Sequence, residues 1–127
     1  MSVYIDIPMK PTPKGRPRMT RSGHTYTPDK TRAAEVVVKR DAQDAMGNAT
    51  VPSGPVRVII QLTFKQAKSN KTSEHTQRPD ADNCAKLVTD ALNGVAYLDD
   101  SQIVRLEVEK LWGTEDRVEV WVDEVGI

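Results

Sequence analysis

Cysteine is nearly missing from this chain, with Cys84 the only one in 127 residues. A lone thiol excludes a disulfide framework and any zinc site built on paired cysteines, and it fits a reducing, cytoplasmic compartment. Long apolar runs are lacking, so no membrane-spanning helix is expected, and no secretory leader pattern is seen. Repeats and low-complexity tracts are absent too. At this length the expectation is one domain over 1–127, large enough for a core but too small for two. Net charge is also zero, from 18 basic and 18 acidic side chains. That balance hides a segregation. Residues 1–40 carry nine Lys/Arg and three Asp/Glu, residues 41–98 six of each, and residues 99–127 three and nine. A basic front with an acidic site and tail is what a metal-using enzyme acting on a polyanion would carry.

What the chain does have is a crowd of carboxylates between Arg78 and Gln102: Asp80, Asp82, Asp90, Asp99 and Asp100, with Lys86 as the internal base. Like charges repel unless protons or cations compensate. Hard oxygen ligands of this kind suit Mg²⁺, with Mn²⁺ as a substitute. Cys84, Leu87, Val88, Ala91 and Leu92 form one apolar helical stripe, which also makes Cys84 a buried small hydrophobe. Asp82 is a good N-cap, so the helix is expected to start near Asn83 and to stop at Asn93-Gly94. Asp80 and Asp82 then lie in an extended approach, pointing the same way. Asp99-Asp100 precede the next apolar run, and a strand from Ile103 brings one of them back to the helix N-terminus. Taken singly, each acid reads as a cap, a turn or a solvated charge, with Asp90 paired to Lys86. A calcium loop from Asp80 fails because its sixth and twelfth positions are Ala85 and Ala91. A restriction-type motif from Pro79-Asp80 fails because no Lys stands two places after Asp82.

The remaining chain supplies the frame. Val3–Ile7 reads as a first strand. Pro8, Pro11, Pro13 and Pro17 keep the following segment extended while Lys10, Lys14, Arg16, Arg18 and Arg21 load it with charge, a basic arm over 8–26 suited to phosphate. Ser22-Gly23 reads as a hairpin tip. Thr27-Pro28 opens a helix to about Met46, buried through Ala33, Ala34, Val37, Val38, Ala42 and Ala45, with Lys39 and Arg40 extending the basic surface. Val56, Val58, Ile60, Leu62 and Phe64 alternate as a half-buried strand. Residues 65–78 lack periodicity and read as a mobile loop leading to the carboxylates, with Glu74 and His75 solvated. Val104, Leu106 and Val108 mark a third strand, Gly113–Asp116 a hairpin loop, and Val118, Val120 and Val122 the last strand. The expected fold is α+β, ordered β-α-β-α-β-β, with a mostly antiparallel sheet and the helices on one face.

The run RPDADNCAKLVTDALNGVAYLDDSQI resembles the signature of the RusA family of Holliday-junction resolvases. It has an Asp-x-Asp-Asn pair, a Lys four residues later, an Asp-Ala-Leu and an Asp-Asp-x-Gln close. KPTPKGRPR and the chain length fit as well; residues 65–77 match less closely. The resemblance implies catalysis by Asp80, Asp82, Lys86 and Asp100, with Asp80, Asp82, Asp100 and the neighbouring Asp99 holding Mg²⁺. The expected DNA contacts, read from the basic front of the chain itself, are Lys10, Lys14, Arg16, Arg18, Arg21, Lys30 and Arg32. The resemblance further implies a homodimer that nicks four-way DNA junctions symmetrically, in recombination and repair. Phe64, Trp112 and Trp121 then include candidates for dimer burial or base wedging, beside ordinary core packing. Two other readings stay open: a junction-binding protein without catalysis, and a general metal-dependent nuclease.

Overall fold

A computed structural model describes residues 1–126. Its elements are β1 (Ser2–Ile7), β2 (Arg18–Met19), β3 (Thr25–Tyr26), α1 (Asp29–Met46), β4 (Val56–Lys65), α2 (Ala81–Ala91), the 3-10 turn η1 (Asp100–Gln102), β5 (Ile103–Gly113) and β6 (Arg117–Glu124). The main sheet runs β1-β6-β4-β5, and β2-β3 form a separate hairpin. Strand β6 pairs antiparallel with β1 and β4, while β5 is parallel to β4. The expected α+β class and mostly antiparallel sheet are therefore observed. The hairpin tip at Ser22-Gly23 is observed too, with Thr20 N donating to His24 O at 2.8 Å.

The core follows from the strand period of two. Val56, Val58, Ile60, Leu62 and Phe64 point to the helix side, beside Ile5 and Ile7 of β1 and Val118, Val120 and Val122 of β6. Helix α2 answers with Cys84, Leu87, Val88 and Ala91, all buried. Helix α1 buries Thr31, Ala34, Val38, Ala42 and Met46. Ala33 and Ala45, expected on that face, are exposed, because the buried stripe follows i, i+4 spacing from Ala34. Pro28 is the cap of α1 rather than its first residue.

One connection departs from expectation. The segment after Gly113 is not a hairpin loop, because β5 and β6 lie on opposite sides of β4. Parallel strands need a crossover, and α2 provides it between β4 and β5. The chain must then cross the end of β4 to start β6. Gly113 makes that crossing close: a Cβ there would stand 2.4 Å from Thr63 Cγ2. Gln66 N donates to Gly113 O and Lys65 N to an Asp116 carboxylate oxygen, which closes the crossing with hydrogen bonds.

The link from α2 to β5 sets the position of the last two acids. Helix α2 ends at Ala91, and Asn93 N turns to Asp90 O, so the Thr89 carbonyl needs another donor. The buried Tyr97 hydroxyl supplies it at 2.6 Å. Burial, then the nearby Asp100, Asp90 and Asp99 charges, push the Tyr97 hydroxyl pKa up, so it stays a donor. Next, Gln102 donates to Pro52 O at 2.9 Å and Gly54 O at 2.8 Å and accepts from Asp99 N at 2.8 Å. That amide locks η1 against the turn before β4. Tyr97→Phe is expected to cost roughly 1–2 kcal/mol, the usual loss when a buried acceptor is orphaned. Urea unfolding with an unchanged m-value tests it, and wild-type stability would show that the carbonyl finds another partner.

Candidate active site

The site is built on α2. Asp82, Lys86 and Asp90 recur every four residues and so share one helix face, opposite the buried stripe. With Asp100, they line a groove between α2 and β5 whose floor includes Ala85, Thr89, Leu106 and Val108. An acid does return from the β5 side, Asp100, but to the C-terminal part of α2 beside Asp90 rather than to the expected helix N-terminus, because a parallel β4-α2-β5 crossover sets the end of α2 next to the start of β5. Burial first, then the charges of Asp99 and Asp90 and a hydrogen bond to Asp90, push the Asp100 carboxyl pKa up, against the pull of Lys86. Asp99 is engaged differently. Its exposed carboxylate accepts from Ser101 N at 3.0 Å and completes a capping box with Gln102, which lowers its pKa.

Asp80 and Asp82 are not the parallel pair in an extended segment that the sequence suggests. Helix α2 begins at Ala81, two residues earlier than expected, because Asp80 rather than Asp82 takes the N-cap position. Asp82 falls in the first turn. Asp80, although at the cap, makes no side-chain capping bond. It lines an adjoining cleft of about 720 Å³ with Lys10, Lys14, Arg16, Lys30, Arg78 and Asn83. Among the described residues, no group of three or more His, Cys, Asp or Glu side chains converges closely enough to enclose a metal ion. The acids instead occupy two neighbouring openings, one at the N-terminal end of α2 and one along its outer face from Ala81 to Asp90.

The basic segment is docked on this helix. Lys14 N donates to Asn83 O at 2.9 Å, and Gly15 N to Thr31 Oγ1 at 2.9 Å. The Lys14 ammonium sits 3.0 Å from Glu35 on α1 and 3.2 Å from Asp90 on α2. Burial works against its charge, but bonds to Glu35 and Asp90 outweigh this and raise its pKa. Lys14 is therefore a clamp between the two helices, and Asp90 pairs with it rather than with Lys86. Arg32 is paired with Asp29 at 2.6 Å. Arg18 and Arg21 are exposed on and beside the β2-β3 hairpin, and Arg16 and Lys30 line the cleft.

Two residues were out of reach of sequence reasoning. Lys110 on β5 donates to Gln77 O at 2.6 Å and Pro79 O at 2.9 Å, holding the backbone that delivers Asp80. His75, expected in solvent, is buried, stacked 4.0 Å from the Phe64 ring and 4.3 Å from Trp112. Burial, then the Lys110 charge, lowers its pKa, so it packs as a neutral ring. It anchors the loop ahead of Asp80, and Phe64 and Trp112 serve that packing. Neither residue carries a local signal, since each meets partners from a distant strand. Asp90 did carry one: its spacing of four from Lys86 and eight from Asp82.

The raised Asp100 pKa has a stability consequence. Its folded value exceeds its unfolded one, so ionisation costs stability. The deficit is absent below the unfolded carboxylate range, about pH 4, and grows as pH rises through the folded value. Without divalent ions, Asp100→Asn is expected to raise Tm at pH 7 and to change it less at pH 4. The same shift at both pH values would show that the charge is not the cause.

With this geometry in place, similarity to known proteins is informative. Residues 8–123 match the family described as Endodeoxyribonuclease RusA. A Bacillus subtilis (strain 168) protein, "Uncharacterized protein YqaN", is 35% identical over 132 residues, covering 92% of each chain. The match spans the basic segment, both helices and all the carboxylates discussed, and the chain belongs to the RusA endodeoxyribonuclease family.

Proposed function

We propose that this protein is a divalent-metal-dependent endodeoxyribonuclease that resolves four-way DNA junctions, acting as a homodimer that nicks two strands symmetrically. The observation that carries the reading is the adjacency of two openings on one helix, one along its outer face and one at its N-terminal end. One holds Asp82, Lys86, Asp90 and Asp100, and the other joins Asp80 to a wall of lysine and arginine. A structural role for such a cluster would leave Asp100 crowded by Asp90 and Asp99 with no return.

The donor set fits Mg²⁺, or Mn²⁺ in its place. Mg²⁺ usually keeps waters and takes one or two carboxylates plus substrate phosphate oxygens, so a closed all-protein cage is not needed. Asp82 and Asp100 would hold it, with Asp90 beside them and Asp80 at the edge of the basic cleft. Asp99 is the acid with another task, the cap of η1. When bound, the ion supplies Lewis-acid stabilisation of charge at the phosphodiester. The other contributions come from side chains. Lys10, Arg16, Lys30 and Arg78 bind backbone phosphates and set the strand across the helix end. Lys86, standing among the acids, offsets negative charge that grows at the scissile phosphate.

The decisive assay compares a labelled four-way junction with a matched linear duplex, with and without Mg²⁺. Paired, Mg²⁺-dependent nicks confined to the junction are expected. Asp80→Asn should abolish them while leaving junction binding intact or tighter, because a repulsive charge is lost; unchanged cleavage removes Asp80 from the site. Tight binding without cleavage by the wild type would support a binding protein, and equal cutting of both DNAs a general nuclease. Arg16→Ala with Arg18→Ala should weaken binding and reduce its salt dependence by about two phosphate contacts. A binding slope that does not change would place the phosphate contacts elsewhere.

A further inference from the structure

We infer that the free edge of β5 is the dimer surface, pairing antiparallel with β5 of a second copy about a two-fold axis at Leu106. This rests on the homodimer of the proposed function and names the surface that forms it. Strand β5 is 11 residues long and is paired with β4 alone. Proteins ordinarily blunt an open edge by shortening it or turning charges inward. Here the helix-side position at the edge is Leu106, 47% exposed. It stands in one row with Val58 and Val122, both fully buried. The apolar stripe of the core thus runs to the edge and stops uncovered.

Among axes from Arg105 to Glu109, the charges choose the register. In a two-fold antiparallel pair, facing residues share a sheet face, so the axis passes through a residue position. An axis at Arg105, Glu107 or Glu109 sets that charge against itself, and one at Val108 sets Glu107 against Glu109. An axis at Leu106 sets Arg105 against Glu107 twice, on either side of a Leu106–Leu106 contact. The edge is therefore complementary to itself in this register. Arg105 and Glu107 lie 3.0 Å apart within one strand, and their side chains are 65% and 49% exposed, open to a second copy. The register with β4 shifts at Val56/Arg57 and is continuous from Arg105 onward, so the pairing segment is regular. Leu106 also lines the groove of Asp82, Lys86 and Asp100, so the two grooves flank the axis. That arrangement suits paired cuts.

Sedimentation velocity on the full chain without DNA tests the surface independently of cleavage. The wild type is expected to sediment as a dimer. Arg105→Glu alone and Glu107→Arg alone should each raise the dimer Kd by roughly tenfold or more, since two attractive pairs become repulsive. Mixing the two variants should restore the dimer, because both cross-strand pairs are then attractive again. Circular dichroism checks that each exposed-site variant is folded, and Leu106→Arg gives a second route to the monomer. A monomeric wild type overturns the inference, as does a dimer indifferent to these changes or a mixture that stays monomeric. Junction cleavage by such a wild type would leave the nuclease reading standing while removing this surface.

Discussion

The Lys14 ammonium, held between Glu35 on α1 and Asp90 on α2, is the contact on which the site depends. It joins three pieces of chain that share no local sequence: the basic segment, the first helix and the acidic helix. It also removes one carboxylate from an otherwise uncompensated crowd. The pair is half-buried, so removing either partner leaves a charge in poor solvent, which makes such contacts costly to break. The backbone bond from Lys14 to Asn83 seats the same segment on the first turn of α2. The basic wall and the acids are thereby fixed relative to each other.

A second constraint acts from the opposite side. The acids come from two places, the outer face of α2 and the segment just before β5, and the parallel β4-α2-β5 crossover brings them to one groove. Gln102 and Tyr97 stabilise that return by satisfying backbone carbonyls that a tight connection would otherwise leave without donors. Lys110 does the matching task for the approach to Asp80. The site is therefore framed by hydrogen bonds to backbone, while the acids themselves are left with few partners. That division suits a centre that needs both rigid placement and unsatisfied negative charge.

Membership of the RusA endodeoxyribonuclease family fits this layout, and so does the chain's uneven charge. Zero net charge overall coexists with a cleft whose wall is basic and whose neighbour is acidic. On the proposed reading, the basic wall takes a polyanion's phosphates and a divalent cation offsets the charge of the acids beside it.

Periodicity decided what could be read from the chain itself. The alternation from Val56 to Phe64 and the stripe from Cys84 to Leu92 report burial directly, because a strand or helix repeats its buried face at a fixed interval. The long Asp-rich run likewise marked the family. Tertiary structure alone decided the rest. Asp90's link to Lys14, the burial of His75 between Phe64 and Trp112, and the grip of Lys110 join residues more than 30 positions apart, or in the case of His75 meet a ring from another strand. Nothing local encodes such partners. The separation of Asp80 from Asp82 turned on two residues of helix onset, since each step along a helix rotates a side chain by about 100°. The crossing between β5 and β6 was equally hidden, because a short polar turn reads the same whether the strands it joins pair or straddle a third.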